Sequence, residues 1–541
     1  MKVVNRVLRF FIIVTILHSL APLGRTEVFA QAEQEPPERQ TTIVVPVTEH
    51  EWWLIRWADN FIVCQVVVDH EGVPTNEEIS KQCSSEVYEE WSTTPPCSKA
   101  EKAGKDQSSC SGLYLFLAQV RSGDKEVVID LPLPTVWVTL SGCNPVPPEN
   151  ICTNIPALHL AGEEPLPNEQ ITAIHAVIDD QLITCEGSTC DIPLNPTPLR
   201  GEQIEFWAES SFGDTSEHFT ALVRVLDRGV QNVPGRTGWY VDVLSSQWQG
   251  GKIESCAEVW QAFPPVGLPP SWLSTPNQQV FLASDQPYHY LAGRLISQGL
   301  VDASDCPDNG LLDNGYANAC GLNKARPMVT LWQNQFDPLI LDAAEQLGLP
   351  AQLMKNLFAQ ESQFWPGVFR VAREYGFGQI TDMGADTVLL WNESFFDQFC
   401  PLILADEVCQ KGYLRLKEDQ RAILRGALAI QANADCPECS SGIDLTDANF
   451  SIMLFAQTLL ANCQQVGQTI FNATGSSPGQ VSDYEDLWRF TLANYHAGPG
   501  CLSYAIHTAW ARRLALTWEN ISTNFTQPCQ GVLGYVELIT K

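Results

Sequence analysis

Near residue 336 of this 541-residue chain the spacing of apolar residues changes from two to about 3.6. Upstream, short runs rich in β-branched and aromatic residues alternate between Pro/Gly clusters: 61–68, 113–120, 136–140, 174–178, 203–208, 218–225 and 239–244. Such runs read as strands. Downstream, Leu339, Ile340, Ala343, Ala344 and Leu347 recur on one helical face, with Asp337-Pro338 as a start signal and Gly348 as a stop. Pro350 opens a second helix, and the same period returns at 420–433, 448–473 and 484–494. The expected fold is therefore multidomain, with N-terminal all-β, sandwich-like modules and a C-terminal mainly α domain. Expected boundaries are a linker at 33–50 running into a first strand, a β-rich domain at 51–148, a second β domain at 149–248, a disulfide-pinned connector at 249–335 and a helical domain at 336–541.

The N-terminus reads as an export signal at 1–32. Lys2, Arg6 and Arg9 precede a short apolar stretch, and Ala30-Gln31-Ala32 is a small-x-small cleavage pattern. A membrane anchor is the alternative, but the apolar stretch is shorter than the ~20 residues a span needs. The expected product is secreted or surface-exposed, with no membrane span once the signal is removed. Eighteen cysteines agree with an oxidising compartment. Close pairs are Cys97/Cys110, Cys185/Cys190, Cys306/Cys320, Cys400/Cys409 and Cys436/Cys439. Cys436-Pro-Glu-Cys439 lacks a second such pair and a nearby histidine, which favours a disulfide over zinc. Residues 305–316 fail the calcium-loop template at Pro307 and Tyr316.

Lys and Arg number 32 against 63 Asp and Glu, a net −31. That balance excludes a phosphate-binding, basic face, so nucleic acid is not an expected partner. Hydrophobic residues make up 45% and charged residues 18%, which also excludes a wholly disordered chain. The 149–248 segment loosely resembles immunoglobulin-like modules in its strand spacing. Trp52, Trp53, Trp57, Trp207 and Trp248 are either sugar platforms or core residues.

Chemistry concentrates in the helical part. Leu353, Leu357 and Glu361 are spaced by four, so a carboxylate projects from an apolar helix face, with Phe364 and Trp365 just beyond it. A carboxyl in such a setting is suited to general acid work. Glu361-Ser362-Gln363-Phe364 is followed by Gly376-Phe377-Gly378-Gln379-Ile380-Thr381, and far downstream by Ala493-Asn494-Tyr495-His496-Ala497-Gly498-Pro499-Gly500. In this order the three segments resemble the soluble lytic transglycosylase family, whose catalytic domain has a goose-type lysozyme-like fold. The resemblance covers about 336–541. His496 stands where the family has Asn and Gly378 where it has Met.

The resemblance implies that Glu361 is the single acid/base and that Ser362, Gln379, Tyr495, His496 and Tyr535 contact substrate or orient the acid. It implies peptidoglycan glycan strands as the partner and calls for no cofactor and no metal. The implied reaction breaks the bond between N-acetylmuramic acid and N-acetylglucosamine and closes a 1,6-anhydro ring. A hydrolytic muramidase on the same fold would need a second carboxylate, for which Asp382 and Asp386 are candidates, or else they cap the next helix. A non-catalytic wall-binding protein is the remaining alternative. Motifs of nucleotide-binding, metalloprotease and serine-hydrolase chemistry are missing.

Overall fold

A computed structural model describes residues 39–94, 97, 111–145, 150–227, 238–267, 269–368 and 373–541. The expected signal segment, the start of the linker and Cys110 lie outside the described residues. The chain divides into two compact units, Met1–Asp130 and Leu131–Lys541.

In the first unit, β1 (Gln40–Arg56) is the centre of a three-stranded antiparallel sheet, between β2 (Ile62–Val68) and β3 (Leu113–Asp130). The residues from Gln40 to Glu49, expected as linker, are thus strand. They pair with β3 alone, so Pro46, which lacks an N–H, sits where β1 has one open edge. The unit is not all β. Two short helices, α1 (Asn76–Gln82) and α2 (Ser85–Thr93), lie between β2 and β3. Thr75 and Glu78 form a capping box on α1, and Ser84 caps α2. Ile79, Val87 and Trp91 cover Leu54, Val66 and Leu113, and a Cys64–Cys83 disulfide ties β2 to the end of α1. Sequence reasoning missed these helices because they carry too few apolar residues for a visible period.

In the second unit, β4 (Thr135–Ser141), β6 (Ala157–Glu163) and β9 (Thr189–Pro193) form one antiparallel sheet, in the order β4-β6-β9. The other sheet holds β5 (Ile151–Cys152), β7 (Ile171–Ile178), β8 (Gln181–Glu186), β10 (Glu202–Ser210), β11 (Phe219–Asp227) and β12 (Trp239–Leu244), ordered β5-β12-β11-β10-β7-β8. Both sheets bury alternate residues in one core, including Val138, Leu160, Ile174, Phe206 and Val223. Because β4 pairs with β6, the boundary expected at 148 falls instead between Asp130 and Leu131. Cys185 on β8 bonds Cys190 on β9, so the expected closed turn also links the two sheets.

The stretch expected as a connector is built into the helical core. It contributes α3 (Ser255–Trp260) and α4 (Ala319–Asn334), and its Trp260, Trp272 and Trp332 are buried with the residues that follow. Next come α5 (Asp337–Leu347), α6 (Ala351–Ser362), α7 (Asp382–Trp391), α8 (Glu418–Ala432) and α9 (Leu445–Thr474), then α10 (Tyr484–Ala497), α11 (Pro499–Ala511) and α12 (Gly531–Ile539). The 30-residue α9 spans about 45 Å and is the spine of the core. Gly348 ends α5 with φ 60°, as its position predicts. Asp337 is not the cap of α5. It is buried and accepts a hydrogen bond from Lys355 at 2.6 Å. Desolvation pushes the Asp337 carboxyl up and the Lys355 ammonium down, and their attraction opposes both shifts. Residues of α7, α8 and the Cys400–Cys409 loop bury their own cluster against Leu454 and Ala461 of α9.

Candidate active site

Glu361 sits in the last turn of α6, whose Leu353, Met354, Leu357 and Phe358 are fully buried. The helix stops because Gln363 and Phe364 take left-handed backbone conformations, φ 49° and 62°. That reversal carries Phe364 and Trp365 into the core, where Trp365 stacks on Trp332 at 5.5 Å and donates to Asp435 at 2.8 Å. They therefore do not form the apolar surround that the sequence suggested for Glu361. Ser362 is also fully buried, its hydroxyl donating to the Phe358 carbonyl at 3.2 Å. It is part of the helix end and does not line the cleft.

Glu361 instead opens on a cleft of about 430 Å³ shared with Glu374, Gln379, Thr381, Asn494, Tyr495 and His496. All three distant motifs contribute to it. The Gly376–Thr381 segment is a tight turn closed by two backbone hydrogen bonds between Tyr375 and Ile380, at 2.8 and 3.2 Å. Gln379, at φ 49°, donates its amide to the Gly367 and Gly376 carbonyls at 2.8 and 2.7 Å and so fastens the turn. A Cβ on Gly378 would fall 2.2 Å from the Phe455 ring and 2.8 Å from the Tyr495 hydroxyl. Close packing rather than backbone conformation therefore explains glycine at that position. Tyr495 donates its hydroxyl hydrogen to the Gly378 carbonyl, tying the third motif to the second.

Tyr535 on α12 donates to Oε1 of Glu361. Burial first, then the nearby charge of Glu361, pushes the phenols of Tyr495 and Tyr535 well above their usual range, so both remain donors. His496 stacks on Tyr535 with centroids 4.0 Å apart, and burial lowers its imidazole pKa. The helix that carries Tyr535 is held in two ways. Asn356 of α6 donates to the Ile539 carbonyl at 2.9 Å, and Cys529 bonds Cys501 in the first turn of α11. No sequence spacing marks the Cys501–Cys529 bond.

Of the expected site residues, Glu361, Gln379, Tyr495 and His496 line the cleft, and Tyr535 reaches it through Glu361. Asp382 and Asp386 do not line it. The Asp386 carboxylate is occupied by Arg425, at 2.9 Å, and by the Tyr413 hydroxyl. Glu374 was not singled out by the sequence, since it belongs to no motif. Cys436 and Cys439 form a disulfide, and the described residues hold no group of three or more side chains arranged for a metal. Of the five tryptophans weighed as sugar platforms, Trp207 lies between the rings of His175 and His218, at 5.1 and 4.3 Å, and Trp57 packs on Tyr114 at 4.2 Å. No protein-family model, no curated protein and no solved structure matches the chain.

Proposed function

We propose that the protein is a peptidoglycan-cleaving enzyme, a lytic transglycosylase in which Glu361 serves as the acid/base of cleavage and ring closure. The observation that carries this reading is convergence: three motifs spread over about 140 residues meet in one cleft, with the carboxylate of the first hydrogen-bonded by Tyr535. Among the described residues, eight disulfides and the lack of any helix long and apolar enough to cross a membrane accord with an exported protein.

In the proposed reaction Glu361 gives a proton to the oxygen that bridges C1 of N-acetylmuramic acid and C4 of N-acetylglucosamine. The C1–O bond breaks, and the substrate's acetamido group stabilises the positive centre. Glu361, now a base, takes the proton of the muramic C6 hydroxyl as that oxygen bonds C1. One carboxylate serves both halves because the nucleophile belongs to the substrate, and proximity of this kind is worth roughly 7–11 kcal/mol of barrier. Tyr535 and Tyr495, kept protonated, hold the acid and the turn opposite it.

Mass spectrometry of muropeptides after digestion tests the reading. The expected products carry 1,6-anhydromuramyl ends, one water lighter than hydrolysed ends. A folded protein that releases no product from any peptidoglycan is a binding protein instead. Hydrolysis is the second reading, and the observation in its favour is Glu374.

A further inference from the structure

We propose that Glu374 is a second working carboxylate of the cleft, one that activates water and so sets how often cleavage ends in hydrolysis rather than ring closure. The inference rests on the glycan-cleaving reading above.

The argument begins with elimination. Asp386 is held by Arg425 and Tyr413, and neither Asp382 nor Asp386 borders the cleft. Glu374 borders it together with Glu361. Its backbone leads directly into the turn fastened by Tyr375, Ile380 and Gln379, so the carboxylate stands at the root of a braced segment. Gly376 permits no larger residue there, because a Cβ would lie 2.2 Å from the Ser451 hydroxyl and φ is +75°. Tyr495 feels both carboxylates: after burial, the charges of Glu361 and Glu374 raise its phenol, which places that ring within electrostatic reach of each. Among the described residues no donor occupies the Glu374 carboxylate.

Two fates then compete after the C1–O bond breaks. In one, the C6 oxygen bonds C1 and Glu361 accepts its proton. In the other, a water oxygen bonds C1 and Glu374 accepts the water proton. Glu374 then releases that proton to solvent, and Glu361 regains one from solvent, leaving reducing-end muramic acid. Intramolecular closure has the proximity advantage, so water competes only if a base positions it, an effect worth about 10²–10⁴ in rate.

Digestion of purified peptidoglycan in ¹⁸O-water separates the fates, since only hydrolysis in the tube labels a reducing end. The wild type is expected to give labelled reducing ends beside anhydro ends. Glu374→Gln is expected to lower the ratio of labelled to anhydro ends at least about tenfold. Asp386→Asn is expected to leave that ratio as in the wild type. A wild type that forms anhydro ends with no ¹⁸O label, or an unchanged ratio in Glu374→Gln, overturns the role of Glu374 while the cleavage reading stands. No cleavage of either kind by the folded wild type overturns both.

Discussion

Tyr535 is tied directly to Glu361, the proposed acid, because its hydroxyl donates to that carboxylate from a helix pinned at both ends. Losing a hydrogen bond to a charged group in a protected site costs about 1.5–3 kcal/mol. Tyr535→Phe should therefore lower kcat by roughly ten- to a hundredfold with little change in melting temperature. Steady-state turnover of a soluble glycan fragment checks this, and unaltered kcat would remove Tyr535 from the machinery. Glu361→Gln should lose cleavage by about 10²–10⁴ while circular dichroism stays native, and activity within a factor of two of wild type would sink the assignment. That Glu361, the glycine-rich turn and the Tyr-His pair deserved notice was legible from the sequence because each lies in a short motif, and the fold brings them to one cleft. Glu374 was not, because only the folded turn beside Gln379 brings it to the cleft. Nor was the inward turn of Ser362 and Trp365, which follows from two left-handed residues that no pattern of polarity announces.

Among the elements, the helices after Phe336 were readable because their apolar stripes are long. α9, expected at 448–473, runs from Leu445 to Thr474. The short helices α1 and α2 and the membership of β4 were not readable, since pairing across a gap of 16 or more residues leaves no local mark. Asp337 shows the same limit: its helix-start signal is correct, but its carboxylate is committed to Lys355 of α6. Replacing one partner leaves the other charged and buried, which costs about 3–5 kcal/mol. Lys355→Met should lower stability by that order in urea unfolding, and adding Asp337→Asn should restore a large part of it. A single variant as stable as wild type would show that the buried pair does not contribute to stability in this way.

On the scale of the whole molecule, Arg224 connects the sandwich to the helical core within the second unit. It pairs with Asp242 at 2.7 Å, donates to the Pro264 carbonyl at 2.8 Å and lies 4.6 Å over the Phe263 ring. Arg224 and Asp242 also border a cavity of about 140 Å³ with Glu254, whose carboxyl burial pushes up to about 7 from 4.5. Folded Glu254 therefore keeps its proton to higher pH than in the unfolded chain. Stability should fall as pH rises from about 4.5 to about 7 and show no further dependence on this group above that, a change on the order of 3 kcal/mol. Denaturation at pH 5 and 7.5 should show a smaller loss for Glu254→Gln than for the wild type, and equal losses would contradict the burial of this group.

The bond between Cys256 and Cys463 differs from the other seven described disulfides, which span 3 to 28 residues while it spans 207. During synthesis at about 5–20 residues per second, Cys256 waits roughly 10–40 s for its partner to be made. In that interval Cys306, Cys320, Cys400, Cys409, Cys436 and Cys439 all emerge before Cys463 and are available to capture it. The spine helix α9 thus delivers both the central packing surface and the thiol that closes the ring around Glu361. Maturation becomes a matter of order in time: local pairs must form early and correctly, and a thiol–disulfide couple able to exchange mistaken bonds should speed the appearance of correctly bonded protein far more than an oxidant alone.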